Sequence, residues 1–257
     1  MDPTPEQRAY ARLAGICILA NYLLQMLGDS VTILLRSGET FAEKARYATE
    51  NALLWRVSLL EVGLAWIATA ILAFALYALL EPIDRRLAQL ALCLRLGASF
   101  VGAASMMFRV AGARLYLASA TEGLFTSDQL STLVSALTRG NSEGVELAWI
   151  FQGAGSALFG VLFLRSRYLP RALAAVHVFA GAVLIAISVA MFVAPQYIGA
   201  LKLAGLPGFV ADVVTAIWLL VKGPRRPAAQ PAPQGRGSSM RARVPPSGEV
   251  SSITAPP

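Results

Sequence analysis

The sequence predicts an all-α fold, a polytopic bundle of about six transmembrane helices. The first observation is composition: 56% of the 257 residues are hydrophobic and 14% are charged, whereas soluble proteins carry roughly 25% charged residues. The second is a series of long apolar runs, and the third is a bias of Lys and Arg toward alternate connections. A soluble domain this apolar could not cover its surface with polar groups, so its excess apolar surface must face lipid.

A helix that crosses the hydrocarbon core needs about 20 mostly apolar residues, because that core is roughly 30 Å thick. Six runs meet this requirement: Leu13–Leu35, Ala52–Leu80, Leu87–Phe108, Val145–Leu164, Ala172–Val193 and Leu203–Val221. They are continuous rather than alternating, which favours helices over strands. Asn21, Gln25 and Asp29 interrupt the first run and no small-residue cleavage site follows it, so we interpret it as a span rather than a signal peptide.

Positive charge is concentrated in alternate connections. One set contains Arg8, Arg12, Arg85, Arg86, Arg165, Arg167, Arg171, Lys222, Arg225 and Arg226. The other set contains Arg36, Lys44, Arg46 and Lys202, the first three of which are diluted by Glu39, Glu43 and Glu50. Connections rich in Lys and Arg stay in the cytoplasm. We therefore expect the first set, and with it the N- and C-termini, to be cytoplasmic.

Three segments follow from this pattern: a cytoplasmic N-terminal segment (1–9), a transmembrane domain (10–222) and a C-terminal tail (223–257). The tail is rich in Pro, Ser, Ala and Gly, and its arginines outnumber its single Glu249. Such a composition cannot bury enough apolar surface to offset ordering entropy, so it predicts a disordered tail whose arginines lie near anionic lipid headgroups. The net charge of +7 thus reflects topology and the tail rather than nucleic-acid binding.

The connection between the third and fourth spans is the longest, at about 36 residues, and is expected to face outward. Thr126 and Gln129 have the spacing of a capping box, in which each side chain hydrogen-bonds a free backbone amide at the start of a helix. Apolar residues then recur at helical spacing, and Gly140 suits a helix C-cap. These features predict a short amphipathic helix that lies on the outer membrane surface or closes the mouth of the bundle.

Ionisable residues inside the spans are the candidate functional residues. A charge near the bilayer centre costs at least about 2.5 kcal/mol, so such side chains normally point inward and pair. Counted from the span ends, Glu61, Arg95 and Asp212 lie within about 6 Å of the midplane, on three different helices, and could form one cluster. Three interpretations stay open: an ion-pair lock that holds the bundle together, a binding site for a solute, ion or proton, or side chains that extend toward the membrane surface and never meet.

Two further residues complete the predicted polar site. Asp29 follows Asn21 and Gln25 at intervals of four residues, which places all three on one face of the first span. Arg56 lies near the outer end of the second span.

Small residues separated by four positions, which allow helices to approach closely, recur in the pairs Gly153/Ala157, Ser156/Gly160 and Ala98/Gly102.

Catalytic and cofactor motifs are not evident. Cys17 and Cys93 lie in separate apolar runs, and His177 is the single histidine, so we expect no metal site and no cofactor. Ser156 and His177 are loosely similar to the intramembrane dyad of rhomboid proteases, but Ala154 stands where that pattern requires Gly. We interpret His177 as a headgroup-level or core histidine, and the sequence favours a non-enzymatic role.

Several stretches together resemble a bacterial family of six-span membrane proteins known as domain of unknown function 4386. The stretches are Ala11–Gly15, Leu54–Arg56, Leu94–Leu96, Arg165–Arg171 and Trp218–Gly223. The resemblance implies the six-span fold, a location in the bacterial cytoplasmic membrane, and a match of Arg56, Arg95 and Asp212 to family positions. An Asp/His pair before the fourth span, typical of the family, is replaced here by Arg139 and Asn141. The resemblance implies no activity, substrate or cofactor.

Three functions remain possible on these grounds. The leading hypothesis is a membrane protein that binds or transports a small solute or ion through the intramembrane polar cluster. The first alternative is an accessory or signalling protein whose polar core only holds the helices together. The second is a membrane-embedded enzyme that modifies lipid, for which the sequence offers no recognisable nucleophile. No motif identifies a protein partner or an oligomeric state.

Overall fold

The computed structural model describes residues 4–35, 40–117, 125–194 and 203–224, except for the side chains of residues 29 and 31–35. Its regular structure in these ranges is helical, which confirms the predicted all-α class. The α-helices are α1 (Pro5–Leu35), α2 (Phe41–Glu50), α3 (Ala52–Leu80), α4 (Arg85–Leu117), α5 (Ser127–Ser166), α6 (Arg171–Val193) and α7 (Leu206–Val221), and a short 3₁₀ helix, Leu203–Gly205, precedes α7.

Within the described residues, five helices (α1, α3, α4, α5 and α6) are long and apolar enough to cross a membrane. Their outer surfaces carry large exposed apolar side chains such as Leu60, Phe100 and Phe179, as expected of surfaces that face lipid. Helix α7, which corresponds to the last predicted span, has 16 residues. At 1.5 Å per residue it is about 24 Å long, somewhat less than the hydrocarbon thickness.

Helix α2 was not predicted, because its sequence reads as a polar connection. Thr40 and Glu43 form a capping box that satisfies the first free amides of the helix. Ala48 is fully buried and packs in a small apolar cluster with Trp55 and Ala113. The helix therefore forms because local capping and a few tertiary contacts compensate for a weak apolar pattern.

Helix α5 corrects the predicted short amphipathic helix. The capping box of Thr126 and Gln129 is confirmed, but the helix continues for 40 residues to Ser166. Gly140 does not end it, since a glycine inside a helix costs only about 1 kcal/mol and tertiary packing can offset this. A Cβ placed on Gly140 would lie 3.4 Å from the ring of Phe108 on α4, so the glycine supports close packing rather than a C-cap.

The main apolar core lies at one end of the bundle. The starts of α1, α4 and α6 contribute residues to this core, and so do the ends of α3, α5 and α7. Successive long helices therefore run in opposite directions. Two polar contacts tie the connections at this end together: Arg165 Nη1 lies 2.9 Å from Asp84 Oδ2, and Gln7 Nε2 donates to Tyr168 Oη at 3.3 Å. The start of α1, the connection between α3 and α4 and the connection between α5 and α6 are therefore neighbours.

The turn between α5 and α6 is held by a buried tyrosine. Tyr168 is 2% exposed and follows Arg167, which ends α5 in the left-handed conformation with φ 58°. Burial raises the pKa of the Tyr168 hydroxyl, an effect partly opposed by the hydrogen bond from Gln7. The hydroxyl is therefore neutral near pH 7 and can accept that hydrogen bond.

Small residues bring α5 and α6 into close contact, which confirms the packing role predicted for Gly153 and Ala157. A Cβ placed on Gly181 of α6 would lie 2.5 Å from the carbonyl oxygen of Gly153 and 2.9 Å from the Cβ of Ala157. Helix backbones can approach this closely only when the interface lacks large side chains. This contact sets the rotation and axial position of α6 against α5.

Candidate functional site

A cavity of about 300 Å³ lies inside the bundle and borders the apolar core. Residues from α1, α3, α4, α5, α6 and α7 line it. The polar members of the lining are Asn21, Tyr22, Gln25, Thr69, Arg95, Gln152, Ser156, His177, Asp212 and Thr215. Because these side chains come from six helices, the cavity exists only in the assembled bundle.

Asp212 is the centre of the hydrogen-bonded group on one wall. Tyr22 Oη of α1 donates to Asp212 Oδ2 at 2.5 Å, and His177 Nδ1 of α6 lies 3.4 Å from Asp212 Oδ1. His177 Nε2 is 2.7 Å from Thr215 Oγ1, one helical turn beyond Asp212. With its proton on Nδ1, His177 would direct that N–H toward the carboxylate, and its Nε2 would accept a hydrogen bond from the Thr215 hydroxyl. Three helices are thereby linked by one polar chain.

The Asp212 carboxylate is accessible from the cavity. Its side chain is 38% exposed, compared with 12% for His177. Helix α7 presents Asp212 to the cavity together with Gly208 and Thr215, because residues at intervals of three or four share one face of a helix. A solute in the cavity can therefore reach the carboxylate directly.

Arg95 stands in the wall formed by α4 and α5. The residue is 7% exposed, and its Nη1 donates to Ser156 Oγ of α5 at 2.9 Å. Its Nε–H and the Oε1 atom of Gln152 are buried and have no hydrogen-bond partner among the described residues. Gln152 and Ser156 are four residues apart and face the cavity together. This wall therefore has unused hydrogen-bonding capacity.

The polar stripe of α1 binds mainly to α3. Asn21 Nδ2 donates to the carbonyl oxygen of Ala65 at 2.8 Å and to Thr69 Oγ1 at 2.6 Å. Gln25 Nε2 donates to Asn21 Oδ1 at 2.6 Å. These bonds fix α1 against α3 and occupy both the Nδ2 donor and the Oδ1 acceptor of Asn21. This part of the lining is therefore structural.

Arg95 and Asp212 are the two predicted site residues that the structure brings to the cavity. They line the same space, yet no ion pair within 4.0 Å joins them in the described structure. Among the described residues, the interpretation of the cluster as an ion-pair lock therefore finds no direct contact between Arg95 and Asp212. Their charges act across the cavity rather than through contact.

Glu61 does not line the cavity, so the single three-residue cluster is not formed. On α3 and α4, Gly102 packs against Trp66. Glu61 lies five residues from Trp66 toward one end of the bundle, and Arg95 lies seven residues from Gly102 toward the other. At 1.5 Å per residue the two are roughly 18 Å apart along the axis. The prediction gave the distance of each residue from the midplane but not its side. Glu61 and Arg95 both precede the midpoints of antiparallel helices, so they lie on opposite sides of the midplane.

The remaining predicted residues lie elsewhere. Arg56 is exposed on α3 and does not line the cavity. Asp29 is on α1, but its side chain lies outside the described residues. The Oε2 atom of Glu61 is buried without a hydrogen-bond partner in the described part of the chain.

Eight polar residues of the cavity lining are not among the predicted site residues: Asn21, Tyr22, Gln25, Thr69, Gln152, Ser156, His177 and Thr215. Tyr22 and Gln152 are ordinary in apolar helices, and His177 was assigned to the headgroup level or the core. A usable signal existed in the spacing of Asp212 and Thr215, which are three residues apart and share a helix face. Their partner on α6 could not be identified without the packing of α6 against α7.

Aromatic side chains form much of the remaining lining, including Trp66, Trp149, Phe159, Phe163 and Phe209. No group of three His, Cys, Asp or Glu side chains that could hold a metal ion occurs within the described ranges. The cavity lining therefore contains one guanidinium, one carboxylate, several uncharged hydrogen-bonding side chains and an apolar surface. Mostly apolar pockets with a few oriented polar groups are typical of small-molecule sites.

Comparison with known proteins identifies the family. The model of the family described as "Domain of unknown function (DUF4386)" matches residues 13–223, which include the cavity-lining residues. No curated protein matches the chain, and no solved structure matches it. The match covers most of the sequence and agrees with the resemblance carried by its motifs. The chain therefore belongs to the family of the domain of unknown function 4386.

Proposed function

We propose that this chain is a multi-pass protein of the bacterial cytoplasmic membrane that binds or transports a small solute through its intramembrane cavity. The observation that carries the proposal is the accessible Asp212 carboxylate, 38% exposed, facing Arg95 across a space of about 300 Å³. That volume suits a small organic solute. Ionisable groups inside a membrane are costly and usually mark a pathway or a site.

Six spans with both termini in the cytoplasm are part of this proposal. Helix α7 and the preceding 3₁₀ helix together supply the sixth crossing, and the antiparallel order of the long helices agrees with an even number of spans. The Arg-rich connections share one end of the bundle, where the positive-inside rule assigns them to the cytoplasm. The cavity extends from that packed end toward the Gly205 end of α7.

Unpaired polar groups favour a binding site over a purely structural core. A structural polar core is expected to satisfy its buried donors and acceptors internally. Here the Nε–H of Arg95 and the Oε1 of Gln152 lack partners among the described residues. Both residues line the cavity, so a bound solute could complete their hydrogen bonds.

Cysteine labelling tests whether water and small solutes enter the cavity. Cys17 would be replaced by Ala, and Cys would be introduced at Ser156, which is isosteric, or at Gly205, where a Cβ has open space. We expect a membrane-impermeant thiosulfonate to modify both introduced cysteines in intact cells or vesicles. Cys93, which is exposed on α4 and expected to face lipid, serves as the internal control and should stay unmodified. Absence of modification in both Ser156→Cys and Gly205→Cys would contradict a solute-binding cavity.

The alternative is an accessory membrane protein, and the chain of Tyr22, Asp212, His177 and Thr215 favours it, because this chain links three helices. Asp212→Asn distinguishes the two functions. A solute-binding protein should remain monodisperse in detergent and show a changed ligand affinity, because Asp212 faces the cavity. An accessory protein whose polar core holds the bundle should instead unfold or aggregate, and the native protein should co-purify with a partner after mild extraction.

A further inference from the structure

The charge of Arg95 is not neutralised by contact with any described side chain. Its guanidinium is in a residue that is 7% exposed, and its hydrogen bond to a described residue goes to the neutral hydroxyl of Ser156. A guanidinium carries five N–H donors, so most of its capacity is unused. A buried cation without a counter-ion is strongly unfavourable. An anion supplied from outside the chain would relieve this cost.

Asp212 acts on Arg95 only from across the cavity and does not pair with it directly. It already accepts the hydroxyl of Tyr22 at 2.5 Å and lies 3.4 Å from the ring of His177, and it makes no ion pair within 4.0 Å of Arg95 in the part of the chain that is described. The two walls of the cavity thus differ. The carboxylate has donors beside it, whereas the guanidinium lacks an acceptor of matching charge.

Gln152 provides the second, independent observation. Its amide lies one helical turn from Ser156 in the same cavity wall, and its Oε1 is buried without a partner among the described residues. Rotation of the amide exchanges its oxygen and nitrogen, so it can present N–H donors to the same anion. Guanidinium, amide and hydroxyl donors on one wall match the two oxygen atoms of a planar carboxylate.

The rest of the cavity limits the body of the ligand. Trp66, Trp149 and Phe159 contribute aromatic surface, which favours an apolar group beside the charge. One guanidinium offers one positive charge, so it matches a monoanion better than a dianion, which Asp212 would repel more strongly. We propose that the ligand is a monocarboxylate with an apolar body, held by Arg95, Gln152 and Ser156; this inference rests on the proposed solute-binding function.

Binding of matched acids and amides tests this proposal on the purified full-length protein in detergent. The probes are phenylacetate and indole-3-acetate, their neutral amides, and the fatty acids octanoate and laurate. We expect each short acid to bind at least tenfold more tightly than its amide, as measured by calorimetry and by thermal shift. Binding of the short acids would indicate a water-soluble ligand, whereas binding confined to laurate would indicate a carboxylate drawn from the bilayer.

Three variants locate the effect. Arg95→Gln should abolish the preference for acid over amide. Gln152→Glu keeps the side-chain volume and places a carboxylate in the cavity lining that contains the guanidinium, so it should abolish acid binding while the amide still binds. Arg171→Gln removes an exposed arginine outside the cavity and should leave the preference unchanged. If Arg95→Gln does not fold, Gln152→Glu decides the result.

The outcomes separate this inference from the proposed function. Two results would overturn the carboxylate assignment: equal binding of acids and amides, or a tenfold acid preference that survives in Gln152→Glu. Labelling of the cavity cysteines would still support solute binding in either case. Failure of every acid to bind would overturn the carboxylate assignment as well. Unreactive cysteines at positions 156 and 205 would overturn the proposed function itself.

Discussion

Arg95 and Asp212 show how two charged residues in one cavity acquire different roles. Asp212 is surrounded by donors, with Tyr22 and His177 beside its two oxygen atoms. Arg95 is more deeply buried and has a neutral partner, Ser156. In a low-dielectric environment each hydrogen bond matters more than in water. At the residue scale, the surroundings of these charges decide which of them is available to a ligand.

Thr215→Val tests the contribution of the His177 hydrogen bond. Valine keeps the shape of threonine but removes the hydroxyl that lies 2.7 Å from His177 Nε2, at a residue that is 2% exposed. A buried nitrogen left without a partner costs about 1–3 kcal/mol, so the melting temperature in detergent should fall. Thr132→Val is the control, because Thr132 is exposed and bonds only its own helix; its change should stay within about 0.5 kcal/mol. Equal effects of the two variants would contradict the prediction.

At the scale of elements, the positions of the helices depend on small residues and on their ends. Gly153, Ala157 and Gly181 bring α5 and α6 into contact. Arg167 ends α5 with a left-handed residue, and a capping box starts α2. The cavity requires these features because its polar residues come from different helices. Changes at these interfaces should therefore alter the cavity as well as the packing of the helices.

Gly181→Val should destabilise the bundle. A Cβ at this position would lie 2.5 Å from the carbonyl oxygen of Gly153, so α5 and α6 must separate. Overpacking of this kind typically costs about 1–3 kcal/mol, which thermal unfolding in detergent would detect. Gly63→Val is the matched control, because the nearest atom to a Cβ on Gly63 is the flexible end of Met106, 3.8 Å away. Stability of Gly181→Val equal to that of Gly63→Val would rule out the close contact.

Arg167→Gly should stabilise the turn between α5 and α6. Arg167 has a φ of 58°, a conformation that costs a residue with a Cβ roughly 1–2 kcal/mol and that glycine adopts freely. We expect a gain of about 1 kcal/mol in unfolding free energy. Arg165→Gly should have the opposite effect, since it removes the 2.9 Å ion pair with Asp84 and places glycine in the last turn of α5. A loss of stability in Arg167→Gly would contradict the prediction.

The whole molecule combines a tightly packed end with a cavity beyond it. The main core, the Arg165–Asp84 ion pair and the Gln7–Tyr168 hydrogen bond all lie at the packed end. The large apolar side chains on the outer surface have no such partners and are suited to lipid. The apolar core thus packs one end of the bundle tightly, whereas the cavity lies beyond it.

Site-directed labelling tests the proposed topology of the whole molecule. In a background with Cys17 and Cys93 replaced by Ala, single cysteines at Arg85 and Arg171 should both react only after the cytoplasmic face is opened. A cysteine at Arg46, which is 75% exposed on α2, should react with an impermeant reagent from outside. Labelling of positions 85 and 171 from opposite faces would overturn the topology.

The sequence by itself determined that the chain is helical, that it contains several helices apolar enough to cross a membrane, and that Arg95 and Asp212 are unusual residues. These properties depend on local composition and spacing, which add up along the chain. It did not determine α2, the continuity of α5 through Gly140, or the separation of Glu61 from Arg95. The tertiary structure decided these points and brought Tyr22, Gln152 and His177 to the cavity. The physical reason is that the rotation and axial offset of each helix depend on contacts such as Gly153–Gly181 and Gly102–Trp66, which join residues far apart in the chain.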